Sequence, residues 1–302
     1  MAVEAERSRV TSLFSNDVLA RVERLRMNTS RRFTNRSSGE HLAGRAGSSN
    51  EFADYRNYVV GDDLRYVDWN VFARLRRPYV KLYHHEEQMH LVLLVDASSS
   101  MLFEGKLQRA KQLVAALSVM GLFNNERVSI HAFNQANSAT SHSRPCRGRG
   151  SMRELFRFLE EIEGGGDELV EQGVRAMLKH HRGRGAVVVV SDFLTPGDLR
   201  RTMNMLYSRG LEVFGIQVLG PTEIDPEVSG DLRFVDSETN ETLDVSGAGD
   251  LVGLYQQYRL GMERELEQLC RQRMGRYLMV NAQSPLETLL FDRMRRTGWV
   301  VG

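Results

Sequence analysis

Leu91-Val92-Leu93-Leu94-Val95-Asp96-Ala97-Ser98-Ser99-Ser100 decides how this chain is read. Its apolar run has neither a helical nor an alternating period. Such a run suits a strand of a parallel sheet, buried on both faces. It ends on a carboxylate, followed by hydroxyls at alternate positions. Ala186-Val187-Val188-Val189-Val190 repeats the pattern and also meets a carboxylate, in Ser191-Asp192-Phe193. These two strands are the expected central pair of an open α/β sheet. Such sheets bind ligands outside the carboxyl ends of their strands, where strand order reverses. If the strands are neighbours, Asp96 and Asp192 meet the hydroxyls of Ser98 and Ser100 at one spot.

Outward from this pair, helices and strands alternate. Residues 105–121 read as a helix with Leu107, Ala110, Leu113, Val114, Leu117 and Met120 on one side. Val128 to Phe133 reads as a strand, and Ala139 to His142 is a candidate short one. Residues 151–162, 168–181 and 197–209 read as helices, and Val213 to Leu219 as a strand. The alternation breaks over 221–248, where Leu232–Val235 and Thr242–Val245 flank Glu238-Thr239-Asn240-Glu241 like a β-hairpin. A helix over 250–273, a strand over 277–280 and a helix over 285–296 follow. The expected fold class is α/β: a doubly wound, mostly parallel sheet covered by helices on both faces. That domain spans 89–302 with an insertion at about 221–248.

Residues 1–88 read as an N-terminal extension packed on it. Ser15-Asn16-Asp17 offers N-cap chemistry, and Val18, Leu19, Val22 and Leu25 then predict an amphipathic helix within 15–27. Arg31 to Asn50 is polar and reads as a loop or arm. Residues 51–87 interleave Phe52, Tyr55, Tyr58, Tyr66, Trp69 and Tyr79 with Asp54, Arg56, Arg65 and Asp68. Gly61-Asp62-Asp63 marks a turn and Val80 to His84 is a candidate strand. No single regular element explains that block.

Composition removes several classes. An apolar fraction of 41% and a charged fraction of 26% argue against wholesale disorder. A formal net charge of +1 supplies no global field to recruit nucleic acid or a membrane. Cys146 and Cys270 lack the spacing of a zinc or redox motif. Met1 to Arg9 carries no apolar stretch and no run approaches the ~20 apolar residues of a span. A cytoplasmic protein without a secretory signal is the expectation.

The set Asp96, Ser98, Ser100 and Asp192 is oxygen-only. Hard cations such as Mg²⁺, or Mn²⁺ and Ca²⁺, take such ligands and keep open positions that a partner's carboxylate can fill. The blander account is that the serines only cap a following helix. His84-His85-Glu86-Glu87-Gln88-Met89-His90 fails the spacing of a zinc-protease helix. His180-His181 suits the C-terminal end of a helix dipole. Arg144, Arg147, Arg149 and Arg153 read as an exposed loop, and Gly148-Arg149-Gly150 lacks the rest of a dinucleotide fingerprint.

Asp96-x-Ser98-x-Ser100 after a buried strand resembles the metal-ion-dependent adhesion site of von Willebrand factor A domains. Glu51-Phe52-Ala53-Asp54-Tyr55-Arg56-Asn57-Tyr58, Gly61-Asp62-Asp63-Leu64-Arg65-Tyr66-Val67-Asp68-Trp69 and Val80-Lys81 resemble the signature of the bacterial domain-of-unknown-function 58 family. That family joins such a block to an A-type domain, and the resemblance runs from about residue 15 to the C-terminus. It implies a partnership with MoxR-type AAA+ ATPases in chaperone-like maturation or remodelling of other proteins. No ATP site is expected in this chain, and no G-x-x-x-x-G-K-[ST] occurs. In the family pattern Gly-Gly-Thr-Asp precedes the helix before the second central strand, and its Thr joins the metal shell. Here Gly164-Gly165-Gly166-Asp167 puts Asp167 in the Thr position, which adds a fifth expected ligand and an extra negative charge. The expected function is a protein-binding module rather than an enzyme. A metal-free scaffold and a metal-dependent hydrolase are the alternatives.

Overall fold

The computed structural model describes residues 10–29, 34–35, 52–83, 85–86, 89–136, 138–194, 197–226, 232–235, 242–245 and 249–302. The chain divides into two compact units, residues 1–30 with 89–302, and residues 31–88. The stretch 1–88, expected as one extension, is therefore shared between them.

The larger unit is built on a six-stranded sheet. Its strands are β1 (His90–Asp96), β2 (Arg127–Gln135), β3 (Ser138–His142), β4 (Gly185–Ser191), β5 (Leu211–Leu219) and β6 (Tyr277–Asn281). The order across the sheet is β6-β5-β4-β1-β2-β3. β1 pairs in parallel with β2 on one side and β4 on the other, β4 with β5, and β5 with β6. Only β3 runs antiparallel, on β2. The chain grows outward from β1 to β3, then crosses back to β4 and grows the other way. The reversal thus falls between β1 and β4, the two strands that the apolar runs single out.

Every residue of β1 and of β4 is buried. Leu91, Leu93 and Val95 face one core, which they share with Leu113 and Leu117 of α2 (Lys106–Phe123) and Leu155 and Leu159 of α3 (Met152–Glu160). Val92 and Leu94 face a second core with Val174 and Met177 of α4 (Val170–His180) and Met203 and Leu206 of α5 (Leu199–Ser208). Successive strand residues point to opposite faces, so one unbroken apolar strand serves both layers. A long helix, α6 (Gly249–Gln272), adds Leu266 to the second core. Among the described residues no helix is long and apolar enough to cross a membrane.

The expected hairpin is present, with Leu232–Val235 antiparallel to Thr242–Val245. The helix expected over 15–27 is shorter. It is α1 (Asn16–Val22), capped by Ser15 as the sequence indicates. Arg26–Met27 then forms a strand antiparallel to Val300–Val301, because tertiary pairing wins over the local helical period. The expected last helix is irregular, with a π-helical turn over Leu289–Arg293. Cys146 and Cys270 are both free and buried.

In the smaller unit, Phe52–Asn57 pairs antiparallel with Tyr79–Tyr83. Thr34–Asn35, inside the expected loop, pairs with His85–Glu86. The rest of Arg31 to Asn50 and residues 84, 87 and 88 lie outside the described residues. Asp68 caps the helix Trp69–Leu75, accepting from the N–H of Asn70 and Val71 at 2.9 and 3.1 Å. Tyr55 Oη donates to Asp68 Oδ2 at 2.8 Å and Lys81 Nζ lies 3.1 Å away. The bonds from Tyr55, Val71 and Lys81 hold the Asp68 carboxyl down at about 2. Arg56 pairs with Asp62, and Arg65 with Asp63. The acidic and aromatic block is thus tied together internally.

Candidate functional site

β1 ends on Asp96, and the chain turns through Ala97 into the serines. Asp96 is almost fully buried. Its Oδ1 accepts from Ser98 N and Asn134 Nδ2, both at 3.0 Å, and its Oδ2 from Ser191 Oγ at 2.6 Å. Burial pushes its pKa upward, Ser191 opposes the shift, and nearby Asp192 adds to it. Three donors therefore hold a carboxylate that would otherwise be costly to bury. Ser98 Oγ and Ser100 Oγ lie 3.0 Å apart, with Ser98 buried and Ser100 half-buried.

A second loop is stitched to this turn. Gly165 N donates to Ala97 O at 2.8 Å, Ser99 N to Gly166 O at 3.0 Å, and Gly166 N to Asn134 O at 2.8 Å. The three glycines are needed here. A Cβ on Gly166 would sit 2.6 Å from the Asn134 carbonyl carbon, and one on Gly164 2.9 Å from Ala97 O. Asp167 follows directly, and its side chain is exposed at the rim of the turn.

Asp192 lies one residue beyond β4. Its Oδ1 accepts from Leu194 N at 3.2 Å, and its Oδ2 from Lys106 Nζ at 2.8 Å. Lys106 is the first residue of α2 and also donates to Glu223 Oε1 at 2.6 Å. Burial opposes the charge of Lys106, but Asp192 and Glu223 outweigh it and its pKa stands above the usual lysine value. Glu223 Oε2 in turn accepts from Gly220 N at 2.7 Å, just past β5.

Three non-glycine residues around this spot hold left-handed backbone: Glu104 at φ 47°, Asn134 at φ 63° and Phe193 at φ 56°. Such conformations cost energy and persist where surrounding bonds over-determine them, often at functional sites. Leu102, Phe103 and Leu194 stand out of the same loops, 55%, 52% and 42% exposed.

The structure therefore brings Asp96, Ser98, Ser100 and Asp192 to one end of the two central strands, with Asp167 at the rim. Asp192 does not fit the expected metal shell. Both oxygens of Asp96 and both of Asp192 already accept from protein donors, and the donor on Asp192 Oδ2 is itself a cation. One buried oxygen in the cluster, Asn134 Oδ1, has no hydrogen-bond partner. Sequence reasoning missed Lys106, Asn134, Ser191 and Glu223. For Lys106 there was a signal: a lysine opening a helix works against the dipole.

The other constellations resolve differently. His90 opens β1 and its Nε2 lies 2.9 Å from Ser129 Oγ. His181 follows α4 as its cap and its ring lies 4.8 Å from that of His90. Arg144, Arg147, Arg149 and Arg153 are exposed, with Arg149 over the Phe123 ring.

The family described as "Protein of unknown function DUF58" matches residues 54–258. The uncharacterized protein Rv1480 of Mycobacterium tuberculosis is 30% identical over 208 residues, which is 67% of this chain and 65% of that protein. The uncharacterized protein Mb1516 of Mycobacterium bovis gives the same figures. The match thus spans less than two thirds of these relatives' own length. Among solved structures, the conserved hypothetical protein BatB from Bacteroides thetaiotaomicron aligns with TM-score 0.43 and 15% identity, over 69% of this chain and 98% of that one. An aerotolerance-related membrane protein from Bacteroides fragilis gives TM-score 0.43 and 16% identity, over 70% and 98%.

Proposed function

The chain belongs to the DUF58 family, and from that premise we propose that its larger unit is a von Willebrand factor A-type module that binds a protein partner. The partner docks on the loops at the carboxyl ends of β1 and β4. The observation that carries this reading is the rim itself. Leu102 and Phe103, just past the paired hydroxyls of Ser98 and Ser100, and Leu194, just past Asp192, are exposed, as is Asp167, on loops tied together by backbone bonds. Exposed apolar anchors beside a preorganised polar centre are what an interface requires. The partner class that the family resemblance supplies is a MoxR-type AAA+ ATPase or its client. Catalysis is not proposed. Asp96 accepts three hydrogen bonds and Asp192 two, one of them from the Lys106 ammonium, so both are engaged in holding the loops together.

The test is a pull-down of that ATPase from the same cell by the full chain, by Ser98→Ala/Ser100→Ala and by Leu102→Ser/Phe103→Ser. Wild type is expected to retain the ATPase, and both double variants to lose it while keeping the wild-type circular dichroism. Retention by both variants counts against this edge as the docking surface.

A second reading keeps a divalent cation, Mg²⁺, Mn²⁺ or Ca²⁺, between the turn and a partner's carboxylate. The orphaned Asn134 Oδ1 and the hydroxyl pair favour it. Under that reading EDTA releases the partner from the wild-type protein; under the first it does not.

A further inference from the structure

Lys106 has no exposed side-chain surface, and it bridges Asp192 at 2.8 Å and Glu223 at 2.6 Å. Nothing about the helix calls for a lysine there. It is the first residue of α2, where the dipole disfavours a cation. Its desolvation is also unfavourable, and an aliphatic side chain would fill the same space without either penalty. What the ammonium does supply is positive charge at the end of β4. A second strand-end carboxylate, Asp96, is buried at the same end of the sheet. A third, Glu223, faces the same ammonium. Without it, buried Asp192 and half-buried Glu223 would lose their shared countercharge.

We propose that Lys106 is a built-in cation that takes the place of a divalent ion at Asp192, so the docking edge carries its positive charge covalently and needs no metal. The inference rests on reading this edge as a binding site, but its charge argument involves only residues of this chain. A tethered ammonium neutralises one negative charge and donates directed hydrogen bonds. It offers a partner no open coordination position. A partner is then recognised by the exposed apolar rim and by the Ser98 and Ser100 hydroxyls, and not by a carboxylate bridging to a metal.

The test measures Mn²⁺ uptake by the full chain through loss of the free-ion paramagnetic resonance signal, with thermal melts in parallel. Wild type is expected to take up no Mn²⁺ through Asp192 and to melt at the same temperature in millimolar Mn²⁺ and in EDTA. Lys106→Gln is expected to melt lower and to gain Mn²⁺ affinity by about tenfold or more, the scale on which neighbours of a metal site act. Added Mn²⁺ should restore part of its melting temperature. Lys106→Gln/Asp192→Asn should lose the gain, and Lys106→Arg should not show it. Wild-type uptake that Asp192→Asn abolishes would overturn the proposal. So would a folded Lys106→Gln with no gain. Should Lys106→Gln fail to fold, the wild-type and Asp192→Asn titrations decide alone. No partner is present in these assays, so a failure of the docking reading leaves their outcome untouched, and the reverse.

Discussion

Asp192 and Lys106 show how much of this protein turns on single side chains. The side chains of the pair are 2% and 0% exposed, so neither charge has water to fall back on. Removing one partner of a buried pair strands the other, at a cost of about 3–5 kcal/mol. Lys106→Met is therefore expected to lower the melting temperature by roughly 6–20 °C, given the ~2–4 °C per kcal/mol of a domain this size. A thermal melt followed by circular dichroism checks this, and a shift under 2 °C on the same scale would show that the pair is not formed. Converting Lys106, Asp192 and Glu223 together to apolar residues should cost less than Lys106→Met alone, because no charge is left unpaired. At this scale the sequence was legible where a residue stands next to a strong pattern. Asp96, Ser98, Ser100 and Asp192 each sit at the end of an unbroken apolar run. Asn134, Ser191 and Glu223 were not legible, because their roles depend on which loops meet in space.

Helix α4 and the sheet beneath it make a different kind of claim. His131 and His142 stack at 5.5 Å, His142 and His180 at 4.6 Å, and His90 and His181 at 4.8 Å. Nδ1 of His90, of His131 and of His181 is buried without a partner. Burial, with positive neighbours adding to it, holds the His90 and His131 rings down at about 3. The unfolded rings titrate near 6.5, so between about pH 6.5 and 3 the unfolded chain binds more protons than the folded one. Stability is thus full above about pH 6.5 and falls as the pH drops through that window. Each imidazole contributes at most about 1.4 kcal/mol per pH unit. Urea unfolding at pH 7 and pH 5 should show the loss, and His131→Phe should flatten it; an acid limb unchanged by that substitution would assign the slope elsewhere. The Gly164-Gly165-Gly166 loop makes an opposite demand, for less side chain. Gly166→Ala puts a methyl against Asn134 backbone at 2.6 Å, where no rotamer can relieve it. A cost of about 1–3 kcal/mol is expected, with the bond from Ser99 N to Gly166 O loosened, and amide exchange at Ser99 should speed up. Alternation of strands and helices made most of these elements legible. Arg26–Met27 escaped because a two-residue strand has no period of its own and exists only through Val300–Val301.

The whole chain is organised less simply than its matched family segment. Residues 54–258 cover only residues 54–88 of the smaller unit and most of the sheet, yet they stop inside α6 and omit β6. β6 supplies the parallel neighbour of β5, and without it the N–H and C=O groups of Gly215 to Leu219 become an open edge. The segment also omits both ends of the larger unit, which hold each other. Asn28 N donates to Trp299 O at 2.8 Å, Arg276 to Asn28 O at 2.6 Å, and the Trp299 ring packs edge-on to Phe214 at 5.3 Å. Leu13, Phe14, Val18, Leu19, Val22, Leu25 and Met27 lie in the same core as the central strands. Each large apolar side chain buried contributes about 1.5–3 kcal/mol, so several of them rival the ~5–15 kcal/mol net stability of a typical domain. A fragment cut to 54–258 is therefore expected to associate through its exposed edge and to lose a cooperative melt. Sedimentation velocity and a thermal melt, beside the full chain, read both effects. If that fragment is monomeric and melts as sharply as the full chain, the terminal segments are accessories to the fold and the core is smaller than the packing implies.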